Sequence, residues 1–125
     1  MKPRFLSKLN VELRTDGRWV LKHPLAYLSQ IIGLVTVPAG FDTDFASVPR
    51  VPVAFWLTGD CAKEAAVIHD WLYRRQTFAR SIADAVLFEA SACGMPPEPW
   101  WRRAIMWIGV RLFGWAAWRA NRRRE

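Results

Sequence analysis

A chain of 125 residues with an apolar fraction of 52% fits one globular domain that can bury a sizeable core, not a multidomain protein. The net charge of +7 indicates an anionic partner such as nucleic acid, phospholipid headgroups or a polyanionic envelope. The two cysteines form no Cys-x-x-Cys or Cys/His ligand pattern, which argues against a disulfide framework and for free thiols. The N-terminus lacks the apolar run of a signal peptide.

The first part of the chain predicts short strands. Residues 8–13 alternate apolar and polar side chains, and after a turn signal at residues 15–18 the apolar residues 19–21 resume the pattern. This arrangement predicts a hairpin over residues 8–22. The β-branched run Ile31–Val37 predicts a third strand.

A loop rich in hydrogen-bonding side chains follows that strand, over residues 40–49, and it has neither a strand nor a helix period. Asp42 and Thr43 belong to it. Asp44 and Ser47 either close turns by bonding local backbone amides or point toward a polar site formed elsewhere. Ser47 lacks the Gly-x-Ser-x-Gly surround of a hydrolytic nucleophile.

Three helices are predicted after the loop. The first covers residues 61–76. The second opens with a capping box formed by Ser81 and Asp84 and stops at Gly94. Several prolines separate it from a third helix over residues 99–121.

The predicted fold is therefore α+β, with a small N-terminal antiparallel sheet followed by three helices, the first two antiparallel. We expect a single domain over residues 1–125. Its β-rich part and motif loop occupy residues 1–60, its helical part residues 61–121, and a basic tail residues 122–125.

The first helix and the second together predict a polar site. His69 and Tyr73 are four residues apart and so share a helix face, while Asp70 projects about 100° away from them. Antiparallel packing would bring Asp84 opposite His69. Such a carboxylate would orient the imidazole as a general base, with Tyr73 donating to it and Asp70 left to hold a hard cation or a backbone amide. The alternative is a buried pair that only ties the two helices together, and a site sealed from solvent would favour that alternative.

The chain carries the motifs GFxTDxASVP at residues 40–49, HDxLY at residues 69–73 and ADxxxF at residues 83–88. In this order they resemble an uncharacterised family of small proteins from tailed phages and prophages, and the resemblance runs from about Val37 to Trp118. It implies a phage or prophage origin and a late role such as tail assembly or host lysis. It also implies a location in the bacterial host cytoplasm or in the virion.

Residues 65–90 also resemble the helix pair of phospholipase A2, which carries the pattern His-Asp-x-x-Tyr and a distant aspartate. The resemblance implies that His69 activates water, that Asp70 binds calcium, and that Tyr73 and Asp84 orient the histidine. The disulfides and the glycine-rich calcium loop typical of that superfamily are absent. In their place Asp42 or Asp44 could supply oxygen ligands for a hard divalent cation such as calcium.

The third helix carries an apolar stripe, formed by Trp101, Ile105, Ile108, Leu112 and Trp115. This stripe fits either a core helix with a solvated arginine face or an interfacial helix. The apolar run is too short for a transmembrane span. We expect the basic tail to contact an anionic membrane or another polyanion through Arg122, Arg123 and Arg124. Other phage proteins and nucleic acid remain open as partners, although no known nucleic-acid-binding signature is present.

Two hypotheses of function follow. The first is a phage-encoded hydrolase acting at the bacterial envelope, with His69, Asp84 and Tyr73 as its catalytic residues. The second is a non-catalytic virion or lysis accessory protein in which the same residues form a structural network. The His-Asp-Tyr spacing favours the first hypothesis, and the missing calcium loop favours the second.

Overall fold

The computed structural model describes residues 2–15, 19–43, 63–93 and 100–123. At residues 43, 63, 102, 106, 113, 114, 117 and 121–123 it describes the backbone alone. In these ranges short strands precede three helices. The strands are β1 (Arg4–Phe5), β2 (Val11–Leu13), β3 (Trp19–Leu21), β4 (Leu25–Ser29), β5 (Gly33–Val37) and β6 (Asp42–Thr43). The helices are α1 (Lys63–Arg75), α2 (Arg80–Ser91) and α3 (Trp100–Arg123). The predicted α+β class is confirmed.

The described strands form two antiparallel sheets, where the sequence predicted one. Strands β1, β4 and β5 form the first sheet in that order, and β2, β3 and β6 form the second. The predicted hairpin is confirmed, because Val11 pairs with Leu21 and Leu13 with Trp19. Thr43 pairs with Trp19, so the start of the motif loop is an edge strand of the second sheet.

Strand β4 was not predicted from the sequence, yet it is the centre of the first sheet. Its residues alternate in burial, and Leu25 and Tyr27 lie in the core. A tight turn then leads to β5. Within it, the Ser29 hydroxyl accepts the amide of Ile31 at 3.0 Å, and Gly33 adopts a positive φ that glycine tolerates without strain. The turn takes up the first residues of the predicted third strand, which therefore begins at Gly33.

Helices α1 and α2 form a helical hairpin joined by residues 76–79. Gln76 ends α1 in the left-handed conformation, and its amide donates to the Leu72 carbonyl at 2.9 Å. Its side chain also donates to the Trp118 carbonyl of α3 at 2.7 Å. So short a connection makes the chain double back, and side chains from the second half of α1 meet the first half of α2, as expected for antiparallel helices.

The capping box predicted from Ser81 and Asp84 is wrong. The N-cap of α2 is Ala79, which makes no side-chain cap bond, so the helix begins before Ser81. Asp84 points into the core instead of back toward the helix start. The helix ends at Ser91, and Gly94 lies outside the described residues.

The apolar stripe of α3 does not face the core. Trp101, Ile108, Leu112 and Trp115 are all exposed, and Ile105 is partly buried. The side of α3 that meets α1 and α2 instead carries Val110, which is fully buried. Of the two alternatives that the sequence left open for this stripe, the structure does not support packing in the core.

One core joins both sheets to the helices. Helix α1 packs on β5 and α2 packs on β4. The largest apolar side chains of this core that are fully buried are Tyr27, Tyr73, Leu21, Leu25, Ile68, Leu87, Val37, Val67, Val86 and Val110. None of the described helices is both long and apolar enough to cross a bilayer.

Candidate functional site

The polar site lies between α1 and α2, where the sequence placed it. His69 Nε2 lies 2.8 Å from Asp84 Oδ1, and the Tyr73 hydroxyl donates to the same oxygen at 2.6 Å. Helical spacing brings His69 and Tyr73 to one side of α1, and their rings pack with centroids 4.1 Å apart. The predicted contact of His69 with Asp84 is confirmed.

Two arginines that the sequence analysis missed complete the shell of Asp84. Arg111 of α3 donates to Asp84 Oδ2 at 3.0 Å, and Arg80 Nη1 lies 3.6 Å from that oxygen. Arg80 also donates to the carbonyls of Val110 and Arg111 at 2.8 and 3.2 Å, which fastens α2 to α3. Two signals pointed to this pair. Arg80 precedes Asp84 by four residues, and Arg111 interrupts an otherwise apolar run.

The environment keeps Asp84 ionised. Burial by itself raises the pKa of this carboxyl group, but hydrogen bonds from His69, Tyr73 and Arg111 outweigh it and lower the pKa below its usual value. Burial and the neighbouring carboxylate of Asp84 raise the pKa of Tyr73 well above its usual value. Tyr73 therefore stays protonated and serves as a hydrogen-bond donor.

The ionised state of Asp84 determines which ring nitrogen of His69 carries a proton. An ionised carboxylate only accepts hydrogen bonds, so the Nε2 atom of His69 that faces Asp84 carries a proton. Nδ1, on the other side of the ring, is buried and has no hydrogen-bond partner among the described residues. A proton on Nδ1 would be a buried donor without an acceptor, so the neutral tautomer with its lone pair at Nδ1 fits this environment best.

The site is sealed from solvent. The side chains of His69 and Asp84 are both 0% exposed, and Tyr73 is fully buried as well. The ring of Tyr73 meets the Trp118 ring of α3 edge to face, with centroids 5.2 Å apart. The buried carboxylate thus joins all three helices. Burial of this kind is what the structural hypothesis expects.

The remaining candidate residues do not form one cluster in the described chain. Asp70 is buried on α1. Asp42 lies on β6, partly exposed, with its carboxylate 3.6 Å from the Arg74 guanidinium. Thr43 is on the same strand, and its side chain is not described. The other two loop candidates, Asp44 and Ser47, lie outside the described residues.

The predicted cation site and basic tail are only partly covered by the structure. Within residues 2–15, 19–43, 63–93 and 100–123, no three His, Cys, Asp or Glu side chains are grouped closely enough to hold a metal ion. The backbone of α3 continues through Arg122 and Arg123, and Arg124 lies outside the described residues. Of the two cysteines, Cys93 is a free thiol that is partly buried, and Cys61 is outside the described ranges.

Comparison with known proteins gives one match. Residues 19–110 match the profile of a family described as protein of unknown function (DUF1353). That range includes β3 to β6, α1, α2 and the first part of α3, which it covers as far as Val110. Arg111 is the next residue after the matched range. No curated protein and no solved structure matches the chain at a significant level.

Proposed function

This chain belongs to the family described as protein of unknown function (DUF1353), and from the geometry of its buried site we propose that it is a hydrolase. His69 is the general base of this hydrolase, and Asp84 and Tyr73 orient it. We further propose that the protein is encoded by a phage or prophage and acts at the bacterial envelope.

The observation that supports this proposal is that the Nδ1 atom of His69 has no hydrogen-bond partner among the residues that the structure describes. More than nine in ten buried polar groups in proteins have a hydrogen-bond partner, and a histidine retained only for structure gains most by bonding through both nitrogens. Here one nitrogen is held by Asp84 and the other offers a buried lone pair. A base that is oriented on one side and open to a proton on the other is what general base catalysis requires.

The proposed step is the hydrolysis of an acyl bond. Nδ1 removes a proton from water while the water oxygen bonds to the acyl carbon. The bond between the acyl carbon and the leaving group then breaks, and the imidazolium gives its proton to the leaving group. Asp84 stabilises the positive charge that His69 carries between these two transfers. Arg111 and Arg80 compete for the same carboxylate, which weakens this stabilisation. Since His69 has no exposed surface, water and substrate reach Nδ1 only after neighbouring side chains move.

The second candidate function is a non-catalytic virion or lysis accessory protein. It is favoured by the complete burial of the network and by the way Asp84 joins α1, α2 and α3. Arg111 already supplies a positive charge to balance Asp84, so the network is consistent as a purely structural brace.

Hydrolysis assays with a matched pair of histidine variants test the first proposal. The chain contains two histidines, and His23 is exposed. His69→Gln keeps an N–H donor for Asp84 but removes the basic nitrogen, whereas His23→Asn removes the surface histidine. The substrates are a chromogenic ester, phospholipid vesicles and bacterial sacculi, each with calcium and with a chelator. We expect turnover by the wild type and by His23→Asn, and a loss of about 100-fold or more in His69→Gln.

Two results would contradict the hydrolase. One is the absence of turnover on every substrate by the wild-type chain. The other is equal turnover by wild type and His69→Gln. Ring-nitrogen NMR tests the underlying geometry separately, because His23→Asn leaves a single imidazole to assign. A proton on Nδ1 of His69 at neutral pH would remove the proposed base and leave the structural brace as the function of the network.

A further inference from the structure

Helix α3 carries a cluster of large apolar side chains that the fold leaves in solvent. We call it the outward face. It consists of Trp101 (43% exposed), Ile108 (48%), Leu112 (60%) and Trp115 (51%). Residues 101, 108, 112 and 115 follow one another at intervals of seven, four and three and so form one stripe along the helix. Exposed apolar clusters of this kind commonly mark an interaction surface.

The side of α3 that meets α2 is already occupied. Arg111 binds Asp84, and Arg103 donates to the Phe88 carbonyl at 3.0 Å while its guanidinium lies over the Phe88 ring. Val110 is buried against the hairpin of α1 and α2. These contacts determine the rotation of α3. A partner can therefore bind the outward face without unpacking the core.

The charge of α3 favours an anionic partner. Between Trp100 and Arg123 the helix has six arginines and no aspartate or glutamate. Arg119 is exposed, and its guanidinium lies 5.2 Å from the centroid of the Trp115 ring, so a cation sits directly at the outward face. A second copy of the chain would bring the same six arginines alongside these with no carboxylate of α3 to pair with them. Like charge therefore opposes self-association through this helix.

The composition of the face favours lipid over nucleic acid. Tryptophan is the residue most suited to the headgroup level of a bilayer, where its ring is half dry and its N–H stays hydrated. Ile108 and Leu112 lie between the tryptophans. Aliphatic side chains gain free energy in contact with acyl chains, whereas they stack poorly on bases and do not bind phosphates.

We propose that the outward face of α3 docks on an anionic phospholipid surface, with the helix lying in the plane of the interface. The tryptophans sit at headgroup level, Ile108 and Leu112 enter the acyl boundary, and Arg119 contacts lipid phosphates. The proposal does not depend on hydrolase activity, because the outward face is exposed whereas His69, Tyr73 and Asp84 are buried between the helices.

Vesicle sedimentation with the full-length chain tests the proposal. Vesicles of phosphatidylglycerol and phosphatidylcholine are compared with vesicles of phosphatidylcholine alone, at low and high salt. We expect binding to the anionic vesicles, accompanied by a blue shift of tryptophan fluorescence, and weaker binding as salt rises. No binding at low salt, or equal binding to neutral vesicles, would overturn the proposal.

A matched pair of leucine variants locates the surface. Leu112 on the outward face and Leu34 on β5 are almost equally exposed, at 60% and 62%. Leu112→Asp should weaken vesicle binding by at least about tenfold, because it removes a side chain that would enter the acyl boundary and adds a charge that anionic lipid repels. Leu34→Asp should leave binding unchanged. Arg119→Gln should weaken binding by about fivefold. Equal effects of the two leucine variants would overturn the assignment to α3.

Two further measurements distinguish other occupants. A wild-type dimer in light scattering that Leu112→Asp converts to a monomer would assign the face to a second copy of the chain and overturn the lipid proposal. Tighter binding to single-stranded DNA than to anionic vesicles, lost in the same variant, would assign it to nucleic acid and overturn it as well.

Discussion

The buried space between the helices and the outward face of α3 reverse the usual distribution of polar and apolar side chains. Between the helices, Asp84 and His69 are fully buried, whereas on the outer side Leu112 and Trp115 are more than half exposed. Asp84 is stable inside because donors from α1 and α3 satisfy it. The outward face is exposed instead. The comparison indicates that the buried network contributes to folding stability, and the membrane proposal assigns binding to the outward face.

The largest expected effect is the loss of the Asp84 carboxylate. Asp84→Ala leaves Arg111, Tyr73 and the imidazole facing a buried void, and we expect it to lower the free energy of unfolding by about 4 kcal/mol. Asp42→Ala is the matched control, since its ion pair with Arg74 is partly exposed and should cost less than about 1 kcal/mol. Urea denaturation measures both. Similar losses in the two variants would show that the buried network does not stabilise the fold.

The next largest effect is expected for His69→Ala. The side chain is fully buried, so its removal leaves a cavity and should cost about 3 kcal/mol whether or not the residue is catalytic. His69→Gln retains most of the volume and a donor for Asp84 and should cost about 1 kcal/mol. Thermal and urea unfolding compare the two. An unchanged stability of His69→Ala would mean that the site is more open than the structure indicates.

The acid dependence of stability should also depend on Asp84. Its pKa is lowered in the folded chain, so the stabilisation is fully present above the pKa of an unfolded aspartate, about 3.9, and is lost as the pH falls through the lower folded value. Asp84→Asn carries no ionisable group at this position, so its stability does not change with this titration. The difference in unfolding free energy between wild type and Asp84→Asn should therefore be constant near neutral pH and narrow below about pH 4. A difference that widens in acid would contradict the lowered pKa.

A smaller effect is expected from one hydroxyl group of the network. Tyr73→Phe removes a donor to Asp84, but His69 and Arg111 still satisfy the carboxylate, so we expect a loss of about 1 kcal/mol. Tyr27→Phe removes a hydrogen bond of equal length, 2.6 Å, to Glu89 and serves for comparison. Urea unfolding of both variants measures whether the network at Asp84 is more cooperative than the Tyr27–Glu89 bond. A loss near 3 kcal/mol in Tyr73→Phe alone would indicate strong coupling.

The smallest effect on stability is expected on the outward face. Leu112→Ser exchanges an exposed leucine and should change the free energy of unfolding by less than about 0.5 kcal/mol. Leu87→Ala, in the core between the helices, should cost about 3 kcal/mol. Urea denaturation of this pair tests the comparison directly. A loss above 1 kcal/mol in Leu112→Ser would place the outward face within the folding core.

Local patterns in the sequence were sufficient for the central contact. The spacing of His69 and Tyr73 put both on one side of α1, and the short connection to α2 left little freedom in which residues of the two helices meet. The hairpin of β2 and β3 was predictable for the same reason, since its turn and its alternation are adjacent in sequence. Strand β4 was not predicted because it begins directly after Pro24, and proline usually lies outside strands or at their ends.

Only the tertiary structure decided which face of α3 is buried. This helix is apolar over most of its surface, so periodicity identified a stripe but did not determine its direction. The direction depends on contacts with α2: Val110 is buried, Arg103 donates to the Phe88 carbonyl and Arg111 donates to Asp84. Local patterns in the sequence thus determined the three helices, the β2–β3 hairpin and the His69–Asp84 pair. The position of strand β4 and the exposure of the tryptophan-containing outward face depend on contacts between elements that are distant in sequence, and no local pattern contains those contacts.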